Sequence, residues 1–300
     1  TKLADNVAGP VEFATANGTQ ATAVVPTDLV GVCMPADTTY RKGRIRYYRG
    51  SVRAVNDLKG NKRTVNVVPL DSYVRGVVPR ESPAGWGDAA AGLGMNALRA
   101  QAVAARSYSL SEKRYSFAKT CDSQDCQVYW GAASRTVGGS TPAILEAPQS
   151  DRAVAETAGF VIRNNAGAVA RTEFTSSNGG RTASGTFAAK ADDGDLAADA
   201  LLQTWARTIS ASDIQKKYPT IGVLTSVVTA HDGLGGEWNG YATSVTITGT
   251  AGSVVRKAWD FRSDWDLNSP WYDTSPAPVV DDAAPADRKS TRLNSSHLVI

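Results

Sequence analysis

The sequence predicts an α+β protein built as two lobes of mixed helix and antiparallel strand. Three observations carry that expectation. Between Arg44 and Leu70 the β-formers Ile45, Tyr47, Val52, Val65, Val67 and Val68 cluster around a turn at Asp57 to Asn61. From Asn96 to about Lys113, Leu98, Ala102, Ala105 and Tyr108 recur near helical spacing. A further group of strand-like runs follows Ala153. The 300 residues leave room for one large domain or two lobes, and a 42% hydrophobic share suffices for a core.

In chain order, residues 1–40 are turn-rich and weakly patterned, and we expect a peripheral segment there. Residues 41–274 form the main domain. Within it, Asp71 is placed to cap a short helix through Val77, with Val74 and Val77 facing inward. Pro79 to Trp86, with two prolines and a glycine, reads as a loop. Asn96 is the expected N-cap of the long helix, whose small alanines allow close packing. On another face of that helix Arg99, Val103, Arg106 and Leu110 follow three-to-four spacing, so two arginines could point the same way or simply be solvated. The second unit opens with strands at Gly159–Arg163 and Ala168–Phe174, joined by the hairpin signal Asn164-Asn165-Ala166-Gly167. Thr175 to Thr182 is a polar loop suited to sugar contact or to a plain turn. Alternating strands follow at Thr225–Thr229 and Tyr241–Thr248. Residues 275–300 are expected to be a disordered tail, Pro/Ala/Asp-rich at first, with a cloning or assembly remnant from Arg288.

Charge and composition narrow the classes. The net charge is 32 − 29 = +3, too mild to name a partner. Between Arg41 and Arg63 there are nine Lys/Arg and one acid, Asp57, which is either a face for an anionic polymer or a solvated strand surface. No apolar run is long enough to span a membrane. The chain begins at Thr1 without Met or leader, so we expect a processed or shortened form of an exported protein, secreted or wall-associated. Cys121 and Cys126 are spaced for a short disulfide loop. Zinc is the competing reading, against which His231 and His297 lie remote in sequence, so we expect no metal and no other cofactor. Cys33 is expected to be a buried thiol. No nucleophile elbow, phosphate loop or dinucleotide fingerprint occurs, and no nucleic-acid motif accompanies the basic run. Carboxylates, hydroxyls and arginines remain, which is the equipment for glycosidic bonds.

Four ordered segments then become specific. Val67-Val68-Pro69-Leu70-Asp71-Ser72-Tyr73-Val74-Arg75-Gly76-Val77-Val78-Pro79-Arg80-Glu81 resembles the opening motif of the SpoIID/LytB family of cell-wall proteins. Ala97-Leu98-Arg99-Ala100-Gln101-Ala102-Val103-Ala104-Ala105-Arg106-Ser107-Tyr108 resembles the family's helix, Cys121 to Tyr129 its third segment, and Thr175 to Thr182 its fourth. The chain departs from the pattern at Ser82, where Met is usual, and at Arg99, where Lys is usual. About six extra residues lie within Asp88 to Met95, and the histidines that bind zinc in some relatives are missing.

The resemblance implies two lobes around a glycan-binding cleft and a lytic transglycosylase acting on peptide-stripped peptidoglycan strands. It makes Glu81 the catalytic carboxyl, which must begin protonated, a state that apolar neighbours such as Trp86 or Tyr73 would favour and nearby arginines oppose. Arg99 or Arg106 could then hold the free lactyl carboxylate of muramic acid. Gln101, Tyr108, Gln127 and Tyr129 are candidate substrate contacts or buried structural groups. Ser176 and Ser177 are candidate sugar contacts. Two other functions stay open: a non-catalytic wall-binding protein that stimulates an amidase, and a structural partner in a sporulation or division complex.

Overall fold

The computed structural model describes residues 10–15, 24–36, 42–185, 187–197, 205–235, 237–276 and 297–299. The fold is α+β, and the chain divides into two compact units, Thr1–Phe174 and Thr175–Ile300. In the first unit the elements are β1 (Val11–Ala14), β2 (Val30–Met34), β3 (Arg44–Tyr48), β4 (Ser51–Asn56), β5 (Lys62–Val67), α1 (Leu70–Glu81), α2 (Met95–Ser111), β6 (Ala133–Thr136), β7 (Ala143–Ile144) and α3 (Pro148–Glu156). They make one sheet in the order β1-β4-β5 and another in the order β2-β3-β6-β7, all pairings antiparallel. The segment expected to be peripheral thus supplies an edge strand to each sheet. Cys33, expected to be buried, is exposed, because it falls on the outward side of the alternation along β2.

The first core is built from α1, α2 and α3 against the strands. Val74, Val77 and Val78 of α1 and Leu98, Ala102 and Ala105 of α2 are wholly buried, with Ala153 and Val154 of α3 joining them. This packing overrides the expected end of α1. The helix runs four residues past Val77 and carries Pro79 inside it, with Pro69 rather than Asp71 at its N-cap. An interior proline costs about 3 kcal/mol, whereas each of these buried valines contributes roughly 1.5–3 kcal/mol. Pro79 also sits in the last turn, where Ser82 still donates its N–H to the Val78 carbonyl at 2.9 Å. Asp71 instead pairs with Arg106 at 2.9 Å, tying the first turn of α1 to α2.

Several arginines of the basic run are paired. Arg46 pairs with Asp122, Arg53 with Glu12 and Arg63 with Asp57. Arg49 is buried against Glu146 in a two-pronged contact at 2.7 and 2.8 Å, both side chains at most 2% exposed. Close to this pair lies Asp151 on α3. Burial, with the charge of Glu146 adding, pushes the Asp151 carboxyl up to about 6 against the opposing pull of Arg75 and Arg49. A carboxyl whose proton is held more tightly in the folded state than in the unfolded one stabilises the fold at low pH. That contribution is complete below about 3.8 and is lost as the pH rises through about 6. Asp151→Asn should therefore raise the melting temperature at pH 7–8, and the gain should shrink toward pH 4. Thermal unfolding across that range checks it, and a pH-independent difference would refute it.

The stretch from Gly159 stays with the first unit and is less regular than a hairpin. The turn at Asn164–Gly167 forms as expected, but the flanks meet only in the bridge Arg163 to Val169. Several of their other polar groups bond to α2. Phe160 O accepts from Arg106, Ile162 N–H donates to Ser107 Oγ, and Thr172 Oγ1 donates to Ala104 O.

The second unit contains α4 (Asp193–Ala197), β8 (Thr208–Ser210), α5 (Ala211–Lys217), β9 (Leu224–His231), β10 (Ala242–Gly249), β11 (Gly252–Lys257) and α6 (Ala258–Trp265). An antiparallel sheet β11-β10-β9 packs Val227, Val245 and Ile247 against Ile214, Ile221, Phe261 and Tyr272. The expected tail falls mostly on residues 277–296 and 300, which lie outside the described residues. Its described pieces, β12 (Ser275–Pro276) and β13 (His297–Val299), pair with each other and β13 pairs with β8.

Candidate functional site

Glu81 is the last residue of α1, not part of a loop. Its place is set by a contact one turn back. A Cβ built on Gly76 would meet the Tyr129 ring at 2.5 Å, so only glycine lets that ring lie on the helix backbone. Tyr129 is 5% exposed, packs tilted against Tyr73 at 4.7 Å between centroids and donates its hydroxyl to Asn66 Oδ1 at 2.8 Å. Gln127 is wholly buried between the helices: it accepts from the Tyr73 hydroxyl at 3.2 Å and donates to Ala105 O at 3.4 Å.

Burial alternates along residues 127–130, the pattern of a strand-like segment. Gln127 and Tyr129 go inward and Val128 and Trp130 stay partly exposed. The inward pair locks the strand-like segment to α1 and α2, and its backbone is thereby presented to Glu81. The Val128 N–H donates to Glu81 Oε1 at 2.6 Å. Tyr73 lies close as well: burial pushes its phenol up, and the Glu81 charge is among the lesser causes.

Beside this contact lies an open pocket of about 540 Å³ lined by Arg80, Ser123, Gln124, Asp125, Val128 and Trp130. Glu81 is not among the lining residues; it reaches the pocket wall through Val128. Cys121 and Cys126 are joined in a disulfide that closes the loop carrying Ser123 to Asp125. Neither sulfur is then free to ligate a metal, and no cluster of three or more His, Cys, Asp or Glu suited to a metal occurs among the described residues. Thiol titration of the unreduced protein should find one reactive group, Cys33, under native and denaturing conditions alike, and three after reduction. Three thiols before reduction would contradict the disulfide.

The expected substrate contacts are distributed differently from the expectation. Gln127, Tyr129 and Tyr108 are buried, which corresponds to the structural alternative for each. Arg106 is 1% exposed, and its guanidinium donates to Asp71, Thr157, Phe160 O and Val154 O. A guanidinium enclosed in this way has no surface on which to meet a lactyl group, so Arg106 is a brace between α2 and the residues around α3. Arg99 is half-exposed but held by Glu156 at 2.7 Å and by Asn96 at 2.8 Å. Gln101 is half-buried on α2, and its amide nitrogen is buried without a hydrogen-bond partner.

Ser176 and Ser177 belong to the second unit. Ser176 is exposed, while Ser177 donates to Asp195 Oδ2, which also accepts the N–H groups of Asn178 and Gly180 at 3.0 Å each. Burial pushes the Asp195 carboxyl up, but the backbone donor of Asn178, the Ser177 hydroxyl and further loop amides outweigh it and hold the group below its ordinary value. Asp195 thus organises the polar loop. Sequence reasoning missed Arg80, Val128 and Trp130. The available signal was the two-residue alternation around buried Gln127 and Tyr129.

Residues 58–163 match the family model SpoIID, described as Stage II sporulation protein. No curated protein and no solved structure matches the chain significantly. The matched interval contains α1, α2, the disulfide loop, Trp130 and α3.

Proposed function

Taking as premise that the chain belongs to the SpoIID family through residues 58–163, and so among sporulation-related cell-wall proteins, we propose that it is a peptidoglycan lytic transglycosylase with Glu81 as its general acid and base. The observation that carries this reading is the position of Glu81. Its carboxyl is fixed at the end of a helix by a backbone N–H that belongs to the wall of an open pocket.

One carboxyl group suffices for the reaction. Protonated Glu81 gives its proton to the glycosidic oxygen leaving between N-acetylmuramic acid and N-acetylglucosamine. The resulting carboxylate takes the proton of the muramic 6-hydroxyl as that oxygen bonds to C1. The C1–O bond to the leaving sugar breaks, the 1,6-anhydro bond forms, and Glu81 ends protonated again. No water enters, so the second carboxylate of ordinary glycoside hydrolysis is not required. The site needs no cofactor for this step.

The substrate is peptidoglycan stripped of stem peptides, and the place of action is outside the cytoplasm, either secreted or at the wall. The Cys121–Cys126 disulfide supports an oxidising compartment. No described helix is long and apolar enough to cross a membrane.

Mass spectrometry of peptide-free glycan after incubation tests the reading. The expected products carry 1,6-anhydro-muramyl ends, each lighter by one water than a hydrolysis product. Reducing-end sugars alone would make the protein a hydrolase. Binding without release would favour the wall-binding protein that stimulates an amidase.

A further inference from the structure

The strand assigned above is anionic, because removing the stem peptide leaves a lactyl carboxylate on every muramic acid. The arginines that the family pattern offers for it are committed elsewhere: Arg106 is enclosed and Arg99 is paired with Glu156. Arg80 is different. It is exposed, adjoins Glu81 in sequence, lines the pocket and makes no hydrogen bond or ion pair among the described residues. Its guanidinium lies 5.5 Å from the centroid of the Trp130 ring. Arg46 is 5.1 Å from the same ring and is itself anchored by Asp122 at 3.2 Å.

We propose that the pocket formed by Arg80, Trp130 and the Cys121–Cys126 loop is the subsite for the lactyl-bearing sugar, with Arg80 holding its carboxylate and Trp130 its ring face. The proposal rests on the glycan-cleaving reading above and names the part of the substrate that this pocket takes.

Chemistry and size agree with that occupant. A planar guanidinium offers two parallel N–H donors to a carboxylate. The Arg46 and Arg80 guanidinium groups near the ring fix the indole's orientation, and a fixed aromatic surface suits the C–H side of a pyranose ring. Ser123, Gln124 and Asp125 in the same lining bring donors and acceptors for hydroxyl and acetamido groups, with Ser123 already hydrogen-bonded to Asp125. The volume of about 540 Å³ falls within the roughly 300–1,000 Å³ typical of small-molecule sites. Val128 belongs to this wall and holds Glu81 at 2.6 Å, so a sugar seated here is beside the catalytic carboxyl.

The experiment measures binding by calorimetry in a Glu81→Gln background, so that the glycan is not consumed. Two probes are compared, a peptide-free muramyl glycan fragment and an uncharged chito-oligosaccharide of similar length. Arg80→Ala should weaken the muramyl fragment about tenfold or more, the effect of losing a charge-assisted contact, and leave the chito-oligosaccharide unchanged. Trp130→Ala should weaken both. Thermal melts matching the parent show that the variants are folded, and Arg80→Gln serves as a second test of the charge.

Equal binding of both probes by Arg80→Ala and its parent overturns the proposal, as does equal weakening of both. If the unmodified protein releases anhydro products while Arg80→Ala binds normally, the subsite is wrong and the lytic reading stands. If nothing is released but charge-selective binding disappears with Arg80, the subsite stands and the lytic reading falls.

Discussion

Glu81→Gln should lower the release of anhydro-muramyl products about 100- to 10,000-fold, the usual contribution of a positioned general acid–base. The substitution removes the titratable proton and keeps the shape. Glutamine's amide oxygen can still accept the Val128 N–H that Glu81 Oε1 accepts at 2.6 Å, so the pocket wall should stay in place. The side chain is only partly buried and ends a helix whose stability comes from Tyr73, Val74, Val77 and Val78. The melting temperature should therefore match the parent, and pull-down of denuded strands should persist. Cleavage at the parent rate would remove Glu81 from the mechanism.

Glu146→Ala should destabilise the first unit by roughly 3–5 kcal/mol, the cost of removing one member of a buried ion pair. Arg49 would lose both of its contacts to Glu146 while staying 1% exposed. Such a loss is a large share of the roughly 5–15 kcal/mol that holds a typical domain. The pair as a whole is another matter, because each charge was desolvated to form it. Arg49→Met with Glu146→Leu should therefore recover most of what the single change loses. Urea unfolding of Glu146→Ala and of the double variant decides it. A single-variant loss below about 1 kcal/mol would mean that water reaches the guanidinium.

The sequence was most informative where periodicity and burial coincide. Leu98, Ala102 and Ala105 marked α2 to within two residues at either end, and the runs around Val227, Val245 and Ile247 marked the second sheet. Pro79 misled because a local rule about proline competes with the burial of a valine stripe, and the stripe is visible only once α2 and α3 pack on it. The flanks of the Asn164–Gly167 turn misled for a related reason: β-formers there lack a sheet neighbour, so side chains of α2 take up their backbone groups.

At the site, Glu81 was legible through its motif, but its environment was not. Motif residues Gln127, Tyr129 and Arg106 attract attention as polar groups, yet their polar atoms are spent on Tyr73, Asn66, Asp71 and backbone carbonyls. The pocket-lining side chains Arg80 and Trp130 sit two positions from buried Val78 and one from buried Tyr129.

The contact between Gly76 and the Tyr129 ring has a consequence for descent. With 2.5 Å between a would-be Cβ and the ring, Gly76 cannot gain a side chain while the ring stays in place. Glycine in a helix interior carries a cost of about 0.5–1 kcal/mol relative to alanine, so drift should favour its replacement unless the aromatic partner opposes it. Among related chains the two positions should be inherited as a pair: glycine wherever the partner is aromatic, and alanine or larger only where the partner has shrunk. A lineage that breaks the pair should also shift the backbone at Val128 and with it the hold on the helix-terminal carboxyl, so co-variation at these two columns marks which relatives keep the same carboxyl geometry.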